Sequence, residues 1–406
     1  MKPVCAALIF LLVTGSSNLL KAETNPSPFP IPARNNTIVF LGDSITWQNL
    51  YTAYVENYFL RHYPEKNLRF VNLGVRGDTA AGAIRRLDRD LLPLKPDLVL
   101  IMLGMNDGGY RGKNHFLLQY YLVFLEKLVE IILEKTNARI ILITSTCVAP
   151  ADYKLSRYNP MLAAMAAQVI KLGQNRTIPV IDLFTHFSKT IQAAKLRKPV
   201  VNLMLDPVHP GPAGHLVIAR FLLGFLDTGR DRPAIKSSFD LKNTKWPAGK
   251  TSIQLTHNHK NIYFSDRARQ ALQALEVQNR FNQHLVIIKG LSKRVRIRVD
   301  GYELGVFTPE QLAKGVDLNR LGQAPWVKQA KRLHDLLQQK WRLNYYLWDP
   351  RELGRDALIQ VSPPGIRRPV ITKDQAYRQL ENVIEQLSDF QKIKPKTYTL
   401  ELLLLK

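Results

Sequence analysis

The chain has few cysteines, fewer acidic than basic residues, and no apolar segment of membrane-spanning length. Only two of its 406 residues are cysteines, Cys5 and Cys147, and Cys5 lies in a segment that we expect to be removed. A single remaining cysteine excludes an internal disulfide. Crossing a bilayer as a helix needs about 20 consecutive apolar residues, and no stretch provides them. Cys147 follows an apolar run, so we expect it to be buried rather than reactive.

The first residues have the layout of a secretory signal. Lys2 precedes an apolar run, Val4–Val13, and small and polar residues follow it as far as Ala22. The run is too short to span a bilayer, and Ala22 fits a cleavage position. We therefore predict a signal peptide at 1–22 and an exported protein, either periplasmic or secreted. An uncleaved anchor is the alternative.

Acidic residues are scarce: 33 Asp and Glu stand against 57 Lys and Arg, which gives a formal net charge of +24. The excess is larger in the second part, where residues 231–406 hold 31 basic and 17 acidic residues. A surface of this kind attracts anionic partners, although a basic surface without a dedicated ligand is the alternative. The composition thus allows an anionic surface or a polyanion as partner, favours no specific nucleic acid and gives no oligomeric state.

The first half of the chain alternates short apolar runs with longer amphipathic ones. The short runs predict strands and the amphipathic stretches predict helices between them. Because parallel strands need crossover connections, the alternation indicates an α/β fold, a three-layer sandwich with a parallel sheet. The predicted strands are 37–42, 68–74, 97–104, 138–144 and 178–184, and the helices are 48–63, 79–94, 115–136, 157–173 and one that begins after Pro212.

Beyond this sandwich the pattern changes. We interpret the polar, proline-containing segment 230–249 as a linker and 250–406 as a basic α+β accessory region. It is expected to contain a hairpin at 294–308 that turns at Asp300 and Gly301, and a last strand at 397–405. Two helices are expected, at about 325–346, which would pack on the accessory sheet, and at 374–392.

Two groups of residues in the accessory region are candidates for binding a polyanion or a metal ion. Arginines alternate with apolar residues at 294–298, which predicts a solvated face, with a polyanion-binding strip as the alternative. The arginines are Arg294, Arg296 and Arg298. His257 and His259 form an H-x-H pattern that could hold a metal, but no third ligand is recognisable, so no metal site is assigned.

Four polar clusters fall at strand ends or in late loops of the predicted sandwich. Ser44 follows the first strand in FLGDSIT, and Gly77 follows the second in NLGVRGDT. Asn106 follows the third strand in LGMNDGG, and Asp206 and His209 lie in LDPVHPGPAGH, before the last helix. Because the carboxyl ends of parallel strands meet at one edge of the sheet, the fold would bring these residues together.

These residue types are the ones that acyl transfer by a serine requires. A serine hydroxyl needs a base to take its proton, which His209 can do, and Asp206 could accept the other ring N–H and fix the tautomer. The tetrahedral intermediate needs hydrogen-bond donors, for which the Ser44 N–H, the Gly77 N–H and the Asn106 amide are candidates.

The four clusters, in this order, resemble the signature blocks of the GDSL/SGNH hydrolase superfamily: GDSIT, a glycine in NLGVRGDT, the asparagine of GMND, and DPVH. The resemblance covers about 37–226. It implies a flavodoxin-like sheet and hydrolysis of esters or thioesters without a metal or organic cofactor. Gly74 is an alternative to Gly77 as an oxyanion donor, but we prefer Gly77 because it lies in the GDT context that the family shows. The G-x-S-x-G elbow of α/β-hydrolases is absent.

By position, the resemblance makes Ser44 the nucleophile and Asp206 and His209 the rest of a triad. It makes Gly77 and Asn106 oxyanion donors. Other polar residues near these blocks have structural interpretations, which we favour. These residues are Asp43 as a turn former or helix cap, Trp47 as packing beside the site, Asp107 as a cap or loop brace, and His215 as a buried histidine rather than a rival base.

The residues and the resemblance together predict an exported serine ester hydrolase that works through an acyl-enzyme. We expect it to remove short acyl groups, acetyl above all, from a carbohydrate ester. A lipase or lysophospholipase is the alternative within the same enzyme class. An alternative of another class is a polyanion-binding protein that uses its basic C-terminal region.

Overall fold

A computed structural model describes most of the chain. The described residues are 33–149, 153–196, 200–227, 235–245, 247–257, 263, 284–348, 359–360 and 370–405. The predicted signal peptide and His259 lie outside them. Within these ranges, no helix combines the length and the apolar character that crossing a membrane would require.

The first part of the chain is built on a five-stranded sheet. Its strands are β1 (Thr37–Gly42), β2 (Arg69–Gly74), β3 (Leu98–Met102), β4 (Arg139–Ile143) and β5 (Val180–Ile181). The order across the sheet is β2-β1-β3-β4-β5, and all neighbours are parallel. This is the flavodoxin-like order, so the predicted fold class is confirmed. β1 and β3 are buried along their whole length, as expected for strands covered on both faces.

Eight helices of this part are described. They are α1 (Ser44–Trp47), α2 (Tyr51–His62), α3 (Ala80–Asp90), α4 (His115–Lys135), α5 (Tyr153–Ser156), α6 (Asn159–Arg176), α7 (Leu183–Lys195) and α8 (Pro212–Leu226). α2 packs against α8, and α4 packs against α3 and α6. α7 was not predicted, because the apolar run at 178–184 reads as one long strand. The carboxylate of Asp182 accepts a hydrogen bond from the Thr185 N–H at 3.1 Å and caps a helix within that run.

The C-terminal part is α+β, as predicted. Its described elements are β6 (Ile235–Asp240), β7 (Lys250–His257), β8 (His284–Lys289), β9 (Val295–Val299), β10 (Tyr302–Phe307), α9 (Pro309–Lys314), β11 (Val316–Asp317), α10 (Pro325–Trp348), β12 (Ile359–Gln360), β13 (Val370–Ile371), α11 (Lys373–Gln391) and β14 (Lys396–Leu404). One sheet has the order β10-β9-β14-β7 and another has the order β11-β8-β6.

Two local predictions in this part have opposite outcomes. The hairpin turn is where the sequence indicated, and Asp300 and Gly301 both have positive φ, 47° and 79°, as a two-residue turn of this kind requires. The segment predicted as a linker instead contributes β6, which pairs in parallel with β8. β6 is an edge strand with few apolar residues, so its sequence carries little of the alternation that identifies a strand.

α10 and α11 connect the two parts through a shared core. The buried side chains of Leu337 and Trp341 on α10 belong to the same apolar cluster as the parallel sheet. The Gln338 amide donates to the Asn49 carbonyl at 2.8 Å. The start of α10, with Trp326, packs instead in the second core beside β14. The expectation that this helix packs on the accessory sheet is therefore confirmed for its start, whereas its later turns pack on the core of the parallel sheet.

Candidate active site

Ser44 is the first residue of α1, directly beyond the end of β1. The Asp43 carboxylate accepts a hydrogen bond from the Ile45 N–H at 2.9 Å, so its capping role is confirmed, although the helix begins before Trp47 rather than after it. The Ser44 N–H is thereby left at a helix N-terminus, where no intrahelical acceptor exists. Only glycine fits at Gly42, because a Cβ there would lie 2.8 Å from the Met102 carbonyl oxygen.

Asp206, His209 and Ser44 form a hydrogen-bonded line. The Nδ1 atom of His209 lies 2.8 Å from Asp206 Oδ2, and its Nε2 atom lies 2.9 Å from Ser44 Oγ. A carboxylate only accepts hydrogen bonds, so Nδ1 carries the proton and Nε2 is free to accept the serine hydroxyl proton. The three residues thus have the distances and the tautomer that a serine, base and orienting carboxylate require.

The Asp206 carboxylate is fixed by the loop that carries it. Its Oδ1 atom accepts the backbone N–H groups of Val208 at 2.8 Å and His209 at 2.7 Å. The Leu205 N–H closes the same loop on the His209 carbonyl at 2.8 Å. Partial burial raises the pKa of Asp206, but the hydrogen bonds from His209 and Val208 outweigh it and hold the pKa below its ordinary value. The carboxylate therefore stays ionised.

Gly74 and Gly77, the two glycines of NLGVRGDT that are candidate oxyanion donors, have different surroundings. The Gly74 N–H donates to the Asn72 side-chain oxygen at 2.8 Å, and a Cβ on Gly74 would lie 2.3 Å from the backbone nitrogen of Trp47. Gly74 therefore serves the close packing of β2 on α1. Gly77 is exposed, with φ of +73°, and its N–H has no acceptor within the described part of the chain. Of the two, only Gly77 has a free donor to offer a ligand.

Asn106 presents its side-chain amide from the loop after β3. Nδ2 donates to the Asp78 carbonyl at 2.9 Å, and Oδ1 accepts from the Tyr110 hydroxyl at 2.7 Å. One amide N–H thus remains for a ligand. The neighbouring Asp107 accepts the Ala80 N–H at 2.9 Å, which confirms its interpretation as a brace, because it joins this loop to the start of α3.

Residues 40–217 match the family model described as the GDSL-like lipase/acylhydrolase family. They contain all five of the candidate residues described above. The chain carries a domain of the GDSL/SGNH hydrolase superfamily. This SGNH domain is a carboxylic ester hydrolase.

Relatives fall into two groups by the length of chain they match. An acetylxylan esterase of Geobacillus stearothermophilus is 28% identical over 213 residues, which are 46% of this chain and 91% of that protein. A solved structure of an acetylxylan esterase mutant from the same organism is 24% identical over 49% of this chain and 97% of its own, with a TM-score of 0.41. A gut microbial diltiazem-metabolizing enzyme matches 94% of this chain and all of its own, at 17% identity and a TM-score of 0.72. The C-terminal elements therefore belong to a fold that occurs in another protein.

Sequence reasoning missed the residues that hold the second block of the SGNH domain. Arg86 on α3 contacts Asp78 at 2.6 Å and donates to the Leu73 carbonyl at 2.8 Å. Burial raises the pKa of Asp78, and Arg86 counteracts part of that rise. Asp78 directly follows Gly77 in the chain, so the pair holds the segment that carries Gly77. Nothing in the sequence singles out Arg86 among the other arginines of the chain.

The remaining polar residues have structural surroundings. His215 is buried in α8, 3.0 Å from the Gln48 side-chain oxygen, and burial lowers its pKa to about 3, so it stays neutral. Trp47 lies beside the site, with Tyr345 at its edge. His257 is buried against Trp326, and no group of three potential metal ligands occurs among the described residues. Cys147 is buried, as expected.

Stability should depend on pH through Asp43. Burial raises its pKa from 3.8 to about 7, the Ile45 hydrogen bond lowers it, and Asp107 and Asp78 add to the rise. The pKa of Asp43 is thus higher in the folded protein than in the unfolded chain, so ionising this carboxyl opposes folding. The stability of the protein is therefore fully present below about pH 4 and is partly lost as pH rises through about 7. Asp43→Asn keeps the cap and removes the titration. The variant should therefore gain on the order of 2–4 kcal/mol relative to wild type between pH 4 and 8.

Denaturant unfolding of both proteins across that pH range measures this difference. Asp88→Asn is the matched control, since the Asp88 side chain is exposed, and its difference from wild type should be flat. A pH-independent difference for Asp43→Asn would contradict the prediction.

Proposed function

We propose that the protein is a serine ester hydrolase that releases short acyl groups, acetyl above all, from an acylated carbohydrate. The supporting observation is the hydrogen-bonded line from Asp206 through His209 to Ser44, with contacts of 2.8 and 2.9 Å. The acetylxylan esterase relative, which matches nearly all of its own length, supports a carbohydrate ester as the substrate.

The reaction follows from the hydrogen bonds that join Asp206, His209 and Ser44. Ser44 Oγ attacks the ester carbonyl while His209 Nε2 takes its proton, and Asp206 stabilises the imidazolium that forms. The N–H groups of Ser44 and Gly77 and the free amide N–H of Asn106 stabilise the oxyanion. His209 then protonates the departing alcohol, which leaves an acyl-enzyme. Water, deprotonated by His209, attacks this intermediate, and the carboxylic acid and the free serine are released.

We also propose that this activity is exported. The proposal rests on residues 1–22, whose charged start, short apolar run and small residues have the composition of a secretory signal.

A lipid acylhydrolase is the second candidate, and one surface feature favours it. α4 begins soon after the Asn106 loop and exposes Phe116, Tyr120 and Val123 along one side. Exposed apolar patches of this kind mark contacts with lipids or proteins. Polyanion binding has weaker support, because Arg296 and Arg298 both approach Glu303, at 3.4 and 3.9 Å.

A matched substrate panel tests the proposal. We expect acetylated xylo-oligosaccharides to release acetate. We also expect kcat/KM for p-nitrophenyl acetate to exceed that for the palmitate ester by at least about tenfold, which corresponds to about 1.4 kcal/mol of transition-state discrimination. The Ser44→Ala protein provides the blank. Faster cleavage of palmitate in mixed micelles would favour the lipid acylhydrolase, and no hydrolysis of any ester would contradict both candidates.

A further inference from the structure

The side-chain amide of Asn106 is held at both of its ends. The Asp78 backbone carbonyl can only accept, so the Asn106 atom 2.9 Å away from it must be Nδ2. Oδ1 then faces the Tyr110 hydroxyl at 2.7 Å, and that hydroxyl must donate. These two contacts select one orientation of the amide. In that orientation a single N–H of Nδ2 has no partner among the described residues.

Tyr110 reaches Asn106 from a strained position. Its φ is 58°, in the left-handed region that bulky residues avoid, and it follows Gly109 at φ 63°. Such a conformation is strained and persists where the surroundings impose it. Tyr158 anchors the loop that leads into Tyr110, since its hydroxyl accepts the Gly108 N–H at 3.0 Å and donates to the Met105 carbonyl at 2.8 Å. The two tyrosine rings lie 5.3 Å apart.

The Tyr110 hydroxyl keeps its proton over the working range of an esterase. Burial raises its pKa to about 12, and the charges of Asp43 and Asp206 add to the rise. The hydroxyl is therefore a permanent donor to Oδ1. A hydrogen bond accepted by the amide oxygen also polarises the amide and strengthens its N–H groups as donors.

We propose that Tyr110 is a positioning residue that sets the Asn106 amide with its free N–H toward the reacting carbonyl oxygen. The inference rests on the proposed function, in which Asn106 stabilises the oxyanion. Tyr110 acts through Asn106 and does not itself contact the substrate. Without the hydroxyl, Oδ1 has lost its donor, and the Asp78 carbonyl is then the one described hydrogen-bond partner that restrains rotation of the amide about its last side-chain bond.

A double-mutant cycle on p-nitrophenyl acetate hydrolysis tests this proposal. Losing one oxyanion donor costs about 100- to 1000-fold, so we expect that loss in kcat for Asn106→Ala. Tyr110→Phe should lower kcat by about five- to twentyfold, a fraction of that effect, and leave KM within about twofold. In the Asn106→Ala background, Tyr110→Phe should have no further effect, because its target is gone.

Active-site titration and a control variant separate a loss of catalysis from partial unfolding. Rates are normalised to sites titrated with a fluorophosphonate, so that partial unfolding does not count as lost catalysis. Tyr377→Phe, which changes an exposed tyrosine on α11, should match wild type. An unchanged kcat for Tyr110→Phe would overturn the proposal, and so would a loss that persists without Asn106. Retained activity in Ser44→Ala is a different outcome, because it would overturn the proposed function itself.

Discussion

Ser44→Ala and His209→Ala are each expected to lower kcat for ester hydrolysis by about 10⁴- to 10⁶-fold, the largest effects of any substitution in this chain. The reason is the shared proton path, in which Ser44 Oγ lies 2.9 Å from His209 Nε2. Once either residue is gone, the other has no task, so the double variant should be no slower than the slower single variant. Residual catalysis would come from the oxyanion donors.

Kinetics with p-nitrophenyl acetate and labelling with a fluorophosphonate measure this effect. Labelling should vanish in Ser44→Ala. Ser292→Ala and His115→Ala change an exposed serine and an exposed histidine away from the hydrogen-bonded line, and both should label and turn over as wild type. Additive losses in the double variant, or full labelling without Ser44, would show that the two residues do not act as a unit.

The sequence predicts the parallel sheet well because its strands are buried on both faces. β1 was predicted to the residue, since its apolar run ends where Gly42 and Asp43 begin a new element. β5 and α7 were not separated, because the apolar run continues through Asp182, the residue that caps α7. β6 is an edge strand that packs Phe239 on the second core, but its sequence IKSSFD is mostly polar and therefore reads as a linker.

Motif spacing identifies His209, which lies 2.9 Å from Ser44 Oγ, and the candidate oxyanion donors, but not the atoms that hold those donors. Gly77 and Asn106 follow from their sequence context, whereas the Asp78 contact to Asn106 is made by a backbone carbonyl, which every residue has. Tyr110 is four residues from Asn106 in an irregular loop, and its positive φ cannot be read from residue type. Tyr158 comes from α6, so its contact with that loop depends on tertiary packing.

The second large effect concerns stability and the junction between the two parts of the protein. Lys340 on α10 lies 2.5 Å from Glu56 on α2, and their side chains are only 13% and 3% exposed. Burial raises the pKa of Glu56, and Lys340 counteracts part of that rise. Lys340→Met leaves the carboxyl buried without its cation. We expect this change to cost about 3–5 kcal/mol in the free energy of unfolding, the range found when one partner of a buried ion pair is removed.

Two comparisons separate this effect from the loss of any lysine on α10. Lys331 pairs with Asp335 at 2.7 Å on the same helix, but both side chains are more than half exposed. Lys331→Met should therefore cost less than about 1 kcal/mol. Replacing both buried partners, as Glu56→Leu with Lys340→Met, should recover most of the stability, since no unpaired charge remains.

The pH dependence gives an independent check on the same junction. Without Lys340, the pKa of Glu56 in the folded protein rises further above its pKa in the unfolded chain. The variant therefore retains stability at pH values below the unfolded pKa of Glu56 and loses it as pH rises through the folded pKa. Denaturant unfolding should thus show a larger cost of Lys340→Met at pH 8 than at pH 5. A cost equal to that of Lys331→Met at both pH values would mean that α10 is held to α2 by its apolar face alone.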